Sequence, residues 1–296
     1  MRASVVVFCV PKAGNGVEEG EDAAFPARSC AWSGATLRAA VADGASEALL
    51  SGAWAALLVR LYGRRPAAGA PAGLLALAAA RWARWLRGYL RRRQRRGRPV
   101  QWYEEPGLAA GAFAAFAGLT LHDGGAAGGA GRWQALALGD SCLFQLRDGT
   151  VLASFPVQRA AELGVRPLLL GSRPDGHARV RAALRQAAGE WRAGDIFYLM
   201  TDALAGWWLA EQAAGGAPWL GLDRVCRHGR RRVFAAWVAV RRRRRALRND
   251  DVALVRIELR PGDEEACGDQ ASGAALQGPR VAETRLSTGG PLLPDA

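Results

Sequence analysis

Four acidic points stand far apart in the chain, each at the edge of an apolar run. Ala39 to Gly44 reads A-A-V-A-D-G, ending on Asp43 and a glycine, and Tyr198 to Ala203 (Y-L-M-T-D-A) repeats the pattern with Asp202. Asn249 to Asp251 stand before the apolar run Val252 to Leu259, and Glu21 and Asp22 precede the first of these strands. Carboxylates gathered in one cleft repel one another unless they are protonated or neutralised by cations. Oxygen-only donors select hard ions, magnesium or manganese, and no nearby His/Cys set favours zinc. Two such ions can activate a bridging water and hold a phosphoryl oxygen for in-line attack, so the chemistry would be metal-assisted hydrolysis of a phosphate ester. Each acid also has an ordinary alternative. Asp43 can end a strand at a turn, Asp202 can cap a helix starting at Ala203, Asp250 and Asp251 can merely begin a strand, and Glu21 can be solvated.

The elements that must position these residues can be read from period and punctuation. Ser4 to Val10 is a valine-rich strand stopped by Pro11. Ser29 to Trp32 and Leu37 to Ala42 read as two strands of a hairpin turning at Ser33-Gly34, the second delivering Asp43. Ala48 to Leu61 carries Trp54, Leu57, Leu58 and Leu61 at helical spacing; after the Pro/Gly-rich break Gly63 to Gly73, a long helix runs from Leu74 toward Arg96. Leu108 to Leu119 is expected as a helix phased by Phe113 and Phe116. Trp133 to Leu138, Cys142 to Leu146 and Val151 to Phe155 form an antiparallel meander, with Arg147-Asp148-Gly149-Thr150 as its clearest turn. Pro156 to Pro174 has no firm period, and Val180 to Ala188 is expected as a short helix. A strand Asp195 to Met200 leads to Asp202, with helices over Leu204 to Ala213 and from Arg232 to Arg245. The closing strand Val252 to Leu259 sets Val252, Leu254 and Arg256 against Ala253, Val255 and Ile257. Grouped helices and paired strands favour an α+β plan of two facing antiparallel sheets with helices outside. No phosphate loop or dinucleotide fingerprint precedes a helix.

With 296 residues, half of them hydrophobic, the chain can bury a large core. The formal charge of +13 comes almost wholly from arginine, with Lys12 the single lysine. Arg87 to Arg98, Arg230 to Arg232 and Arg241 to Arg245 could neutralise nucleic-acid phosphates, and could equally be helix faces exposed to water or docked on an acidic protein partner. No aromatic-interleaved module or zinc-finger spacing accompanies them, which argues against a nucleic-acid partner. The tryptophans Trp54, Trp82, Trp85, Trp207, Trp208 and Trp237 read as helix-to-sheet packing, and His122, His177 and His228 as solvated or locally bonded. Five scattered cysteines, Cys9, Cys30, Cys142, Cys226 and Cys267, form no CxxC pair and point to a reducing compartment. No uncharged run reaches bilayer length, so no membrane is expected and the setting is cytoplasmic.

The order of the motifs adds a resemblance. G-E-D-A (Gly20 to Ala23), V-A-D-G (Val41 to Gly44), L-G-D-S (Leu138 to Ser141), M-T-D-A (Met200 to Ala203) and N-D-D-V-A-L-V (Asn249 to Val255) resemble, in family order, the metal-dependent PP2C-type protein serine/threonine phosphatases, particularly short bacterial members. The resemblance spans Ser4 to about Leu259. It implies a four-layer α/β/β/α sandwich over residues 1–260, followed by a Pro/Gly/Ala-rich C-terminal tail over 261–296. It further implies a centre for two Mn²⁺ or Mg²⁺ ions. Asp22 and Asp43 match the acids of the metal pair, with the Gly44 carbonyl as another ligand. Asp202 and Asp250 match further ligands of one ion, and Glu21 an acid that binds through water. Asp140 and Ser141 match a supporting segment, and Asp251 the position after the terminal ligand.

Two positions depart from the family pattern. Val17 stands near the place of the family's phosphate-binding arginine, whose charge Lys12 or Arg28 could supply although neither is fixed by the motif, and Ala203 replaces a glycine. The resemblance therefore implies hydrolysis of phosphoserine or phosphothreonine in a phosphoprotein, or of a small phosphoester, by metal-activated water. The departures favour an alternative, a weakly active or non-catalytic phosphatase-like binding or regulatory module.

Overall fold

Along the closing strand, side chains alternate between two different cores. Ala253, Val255, Ile257 and Leu259 enter a cluster with Leu37, Ala39, Val41, Leu119, Phe197 and Leu199, while Val252 and Leu254 enter another with Trp207, Trp208, Leu222 and Phe234. A strand buried on both faces in this way must lie between a second sheet and a layer of helices. The computed structural model describes residues 1–64, 71–125, 130–163 and 167–260, apart from the side chains of residues 71 and 72. The chain divides into the units Met1–Gly262 and Asp263–Ala296. The tail expected over 261–296 and Cys267 lie outside the described residues.

Both sheets are antiparallel throughout. The first runs β3 (Cys30–Ser33), β1 (Arg2–Val10), β12 (Val252–Arg260), β11 (Ile196–Met200), β7 (Cys142–Arg147) and β8 (Thr150–Phe155). The second runs β10 (Arg185–Trp191), β6 (Gly131–Leu138), β5 (Phe113–His122), β4 (Thr36–Gly44) and β2 (Ala23–Phe25), with β9 (Leu170–Gly171) paired to the start of β5. Helices α5 (Asp202–Ala213), α6 (Pro218–Arg227) and α7 (Arg231–Arg243) cover the outer face of the first sheet. Helices α1 (Ser51–Arg64), α2 (Pro71–Arg95) and α4 (His177–Ala183) cover the second, with α3 (Glu105–Ala110) preceding β5. This is the expected four-layer α/β/β/α sandwich.

Several local expectations are corrected. Leu108 to Leu119 is not a helix: the helical part ends at Ala110, and β5 begins at Phe113. As the middle strand of its sheet β5 is buried on both faces, so its Ala/Leu/Gly run shows no alternation, and pairing on both edges overrides helix propensity. Val180 to Ala188 likewise divides between α4 and β10, because Arg185–Trp191 adds to the open edge of β6. The hairpin turning at Ser33-Gly34 does not form either. β3 pairs β1 in one sheet and β4 joins the other, so this turn is a crossing between layers, and the Gly34 amide bonds the Met1 carbonyl. The meander is split in the same way, since β6 and β7 belong to different sheets. Its last turn is as expected, with Asp148 and Gly149 both at positive φ between paired strands.

The tryptophans are packed as the helical spacing predicts. Trp54, Trp82, Trp207 and Trp208 are buried, and Trp82, Trp85 and Tyr89 stack in succession along α2. No described helix is long and apolar enough to cross a membrane.

Candidate active site

The acids predicted from the sequence arrive from both sheets. β4 carries Asp43 at its end; Asp22 stands immediately before β2, Asp202 opens α5 directly after β11, and Asp250 precedes β12. Antiparallel pairing brings these ends to one edge of the sandwich. Their electrostatics report the convergence. Burial pushes the Asp43 carboxyl up to about 11, helped in order by the charges of Asp22, Asp202, Asp140 and Asp250. Asp22 is raised well above the carboxylate range by burial and by Asp251, Asp202 and Asp250, against one lowering bond from Thr201. Asp140, buried in the turn between β6 and β7, is raised by burial and by Asp202 to about 6. Burial and then Asp202 raise Asp250. Groups that push one another in this way share a cleft rather than five separate caps.

Local contacts fix the backbone beneath these side chains. Thr201 Oγ1 donates to Asp22 Oδ2 at 2.7 Å and accepts the Ala253 amide at 2.9 Å, locking β11, β12 and the Asp22 segment together. Asp251 accepts the Lys12 amide at 2.7 Å and the Glu21 amide at 2.5 Å, so it ties the segment after β1 to the start of β12. Glu21 accepts hydroxyl bonds from Ser46 at 2.5 Å and Ser51 at 2.8 Å. Gly44 is needed for close approach: a Cβ there would lie 2.8 Å from the Ser51 carbonyl carbon and 2.9 Å from the Glu21 carbonyl oxygen. Ser141 is buried beside Asp140, its hydroxyl without a partner.

Whether these residues suit a divalent ion can be judged from their oxygens. Asp22 Oδ1 and Asp202 Oδ1 are both buried without a hydrogen-bond partner, which is costly unless a cation or proton meets them. The donor set is all oxygen, and Asp22, Asp43, Asp202 and Asp250 are mutually repulsive as they stand. These features fit hard divalent cations. Among the described residues, however, no three of His, Cys, Asp and Glu are already arranged around one point as ligands. The Asp202 and Asp250 side chains turn instead toward Arg248, whose Nη2 donates to Asp202 Oδ2 and lies 3.6 Å from Asp250 Oδ2.

Sequence reading missed several participants. Thr201 was visible only as the neighbour of Asp202, and Arg248 only as part of an arginine-rich approach to Asn249; their roles depend on which strand ends meet. A third is Arg231, which with Asp22, Val17 and Asp251 lines a small pocket of about 50 Å³ and bonds the Cys9 carbonyl. These guanidinium groups, rather than Arg28, which is exposed between β2 and β3, stand near the carboxylates. Lys12 contributes its backbone amide. His177 departs from the solvated reading: it is 8% exposed, its Nε2 has no partner, and it lines a separate cavity of about 590 Å³ with Phe113, Leu168, Arg173 and Val180.

No protein-family model and no curated protein sequence matches the chain. In fold it is similar to solved structures that include the serine/threonine phosphatase PstP/Ppp of Mycobacterium tuberculosis, at 16% identity and a TM-score of 0.49 over 88% of this chain and all of that one. It is also similar to PppA, a regulatory component of the type VI secretion system in Pseudomonas aeruginosa, at 20% identity and 0.46 over 87% and 97% of the two chains. A third is the photosystem II phosphatase PBCP, at 14% and 0.47 over 87% and 99%. At these values the likeness concerns the course of the chain, and the functional reading stands on the residues described above.

Proposed function

We propose that the chain is a metal-dependent phosphoester hydrolase acting on phosphoserine or phosphothreonine in a protein substrate, or on a small phosphoester. The observation that carries this reading is the crowding of Asp22, Asp43, Asp140, Asp202 and Asp250 at one sandwich edge, with two buried carboxylate oxygens lacking partners. In this reading Asp22 and Asp43 would hold a pair of ions with the Gly44 carbonyl, Asp202 and Asp250 would add ligands to one of them, and Glu21 would act through water. When bound, Mn²⁺ or Mg²⁺ supplies Lewis acidity, lowering the pKa of a water and neutralising phosphoryl oxygens.

The chain's own part is to orient and to exclude competitors. Thr201 holds Asp22 by one oxygen and leaves the other available. Asp251 keeps the Asp22 and Asp250 segments in register through two amide bonds. Cysteine chemistry is disfavoured at this edge: burial, followed by the charge of Asp22, pushes the Cys9 thiol up to about 12, so it stays protonated at neutral pH. Away from this edge, in α6, burial likewise raises the Cys226 thiol to about 12. No covalent intermediate is expected. A cytoplasmic setting and an acidic protein partner for the arginine-rich helix ends belong to the same proposal, in keeping with the net charge of +13.

The test is Mn²⁺-dependent release of phosphate from a generic aryl phosphate, abolished in Asp43→Asn. Purified protein that neither binds Mn²⁺ nor hydrolyses any phosphoester would overturn the proposal. One observation favours a second reading, a non-catalytic phosphatase-like binding module: Arg248 already neutralises Asp202 and adjoins Asp250. Calorimetric affinity for a phosphopeptide without turnover would select it.

A further inference from the structure

One cation is already inside the carboxylate cleft. Arg248 lies between α7 and β12, and its guanidinium joins two acids from different elements, Asp202 in the first turn of α5 and Asp250 before β12. Asp202 is mostly buried, with a side chain 14% exposed, whereas that of Arg248 is 52% exposed. The contact is therefore anchored at the acid and free to open at the arginine. The other half of the cleft differs in what meets the second oxygen: Asp22 Oδ2 accepts from a neutral hydroxyl instead of a guanidinium, while its Oδ1, like that of Asp202, is buried without a partner.

A guanidinium and a divalent ion drawn to the same two carboxylates repel each other, and the guanidinium takes up negative charge on Asp202 and Asp250 that an incoming ion would otherwise meet. Resting on the reading of this cleft as a divalent-cation site, we propose that Arg248 is a built-in competitor for the second ion. The Asp22 and Asp43 half fills first. The Asp202 and Asp250 half takes an ion only as the guanidinium leaves it, so Arg248 sets the affinity of the second step. Opening costs the ion pair with Asp202 and returns a half-exposed side chain to water.

The experiment titrates Mn²⁺ alone into the full chain by calorimetry, with bound Mn²⁺ counted by electron paramagnetic resonance. The wild-type chain is expected to bind in two unequal steps, the second weaker by about tenfold or more. Arg248→Ala and the longer neutral Arg248→Gln should tighten the second step about tenfold and leave the first within about threefold. Arg248→Lys, which keeps the charge, should stay near wild type, and Asp202→Asn should remove the second step in either background. A second step seen only in the neutral variants also supports the proposal.

An unchanged second step in folded Arg248→Ala and Arg248→Gln overturns it, as does Arg248→Lys behaving like Arg248→Ala. Thermal melts report folding, and if one neutral variant fails to fold the other decides. Hydrolysis of an aryl phosphate is followed separately. Tightening without hydrolysis keeps the competitor and removes the phosphatase reading, hydrolysis with ion binding indifferent to Arg248 does the reverse, and no Mn²⁺ binding by any form removes both.

Discussion

Thr201 Oγ1 donates to Asp22 Oδ2 at 2.7 Å, and the same oxygen accepts the Ala253 amide at 2.9 Å. A fully buried hydroxyl thus joins an acid before β2 to the backbone of β12. Thr201→Val keeps the shape and removes both bonds, leaving a buried amide and a buried carboxylate oxygen without this partner. It should cost about 1–3 kcal/mol of stability in denaturant unfolding, and Thr201→Ser should restore most of it.

Burial of the Asp43 carboxyl, and then the neighbouring acids Asp22, Asp202, Asp140 and Asp250, make its ionisation costly in the folded chain, which predicts that the ion-free chain is held below its attainable stability. Asp43→Asn, which removes one acid from this group, should raise the melting temperature of the ion-free chain. Wild-type protein should instead gain about 2.7 kcal/mol when Mn²⁺ is present at about a hundredfold over its dissociation constant. Calorimetric melts with Mn²⁺ and with a chelator check both halves, and the Mn²⁺ shift should shrink sharply in Asp43→Asn.

Far from the cleft, Asp195 is fully buried and accepts two bonds from Arg147, at 2.6 and 2.8 Å, with others from Gln145 and the Arg192 amide. Burial alone would push its carboxyl up, but the bonds from Arg147, Arg192 and Gln145 outweigh it and hold the pKa below the ordinary value. A depressed folded pKa means that the unfolded chain binds the proton more readily. The contribution is therefore full above the unfolded value, about 3.9, and is lost as pH falls through the lower folded value. Asp195→Asn should destabilise the chain at pH 7 by about 3 kcal/mol and flatten this part of the acid-unfolding curve.

Gly44 packs its backbone against the chain at Glu21 and Ser51, with no room for a Cβ. Gly44→Ala should push β4 away from both segments, costing about 1–3 kcal/mol by the usual penalty for overpacking. Mn²⁺ affinity should fall with it, because Asp43 precedes the displaced residue. Equal melting temperature and equal affinity in the variant would contradict this.

In the helical layer over the first sheet, Asp223 accepts bonds at 2.6 Å from both Tyr198 and Arg256, and Arg256 is 6% exposed. Asp223→Ala strands a buried guanidinium, which among the described residues retains only its bond to Glu258 of those with acids. A loss of about 3–5 kcal/mol is expected, measured by chemical denaturation.

What could be read from the sequence was whatever repeats locally. β12 announces itself by alternation because its two faces meet differently composed layers, and Asp148-Gly149 announces its turn because two successive residues need positive φ. β5 and β10 were hidden for opposite reasons. β5 is buried on both sides and built from alanine, leucine and glycine, while β10 is an edge strand exposing Arg185, Gln186 and Ala188. In the candidate site, the acids were legible because each ends or begins an apolar run. Thr201 and Arg248 were not, since neither has meaning until β2, α5 and the start of β12 are side by side.

Arg242, near the end of α7, donates to the Pro11 carbonyl at 2.9 Å and also to the Asp250 carbonyl. One helix end thereby grips both the exit of β1 and the peptide that carries a cleft acid. A force on the outer helices, such as a protein seated along α7, would be transmitted to Asp250 through a rigid fork instead of being absorbed by a loop. The outermost layer of the sandwich is thus mechanically linked to the carboxylates at its rim.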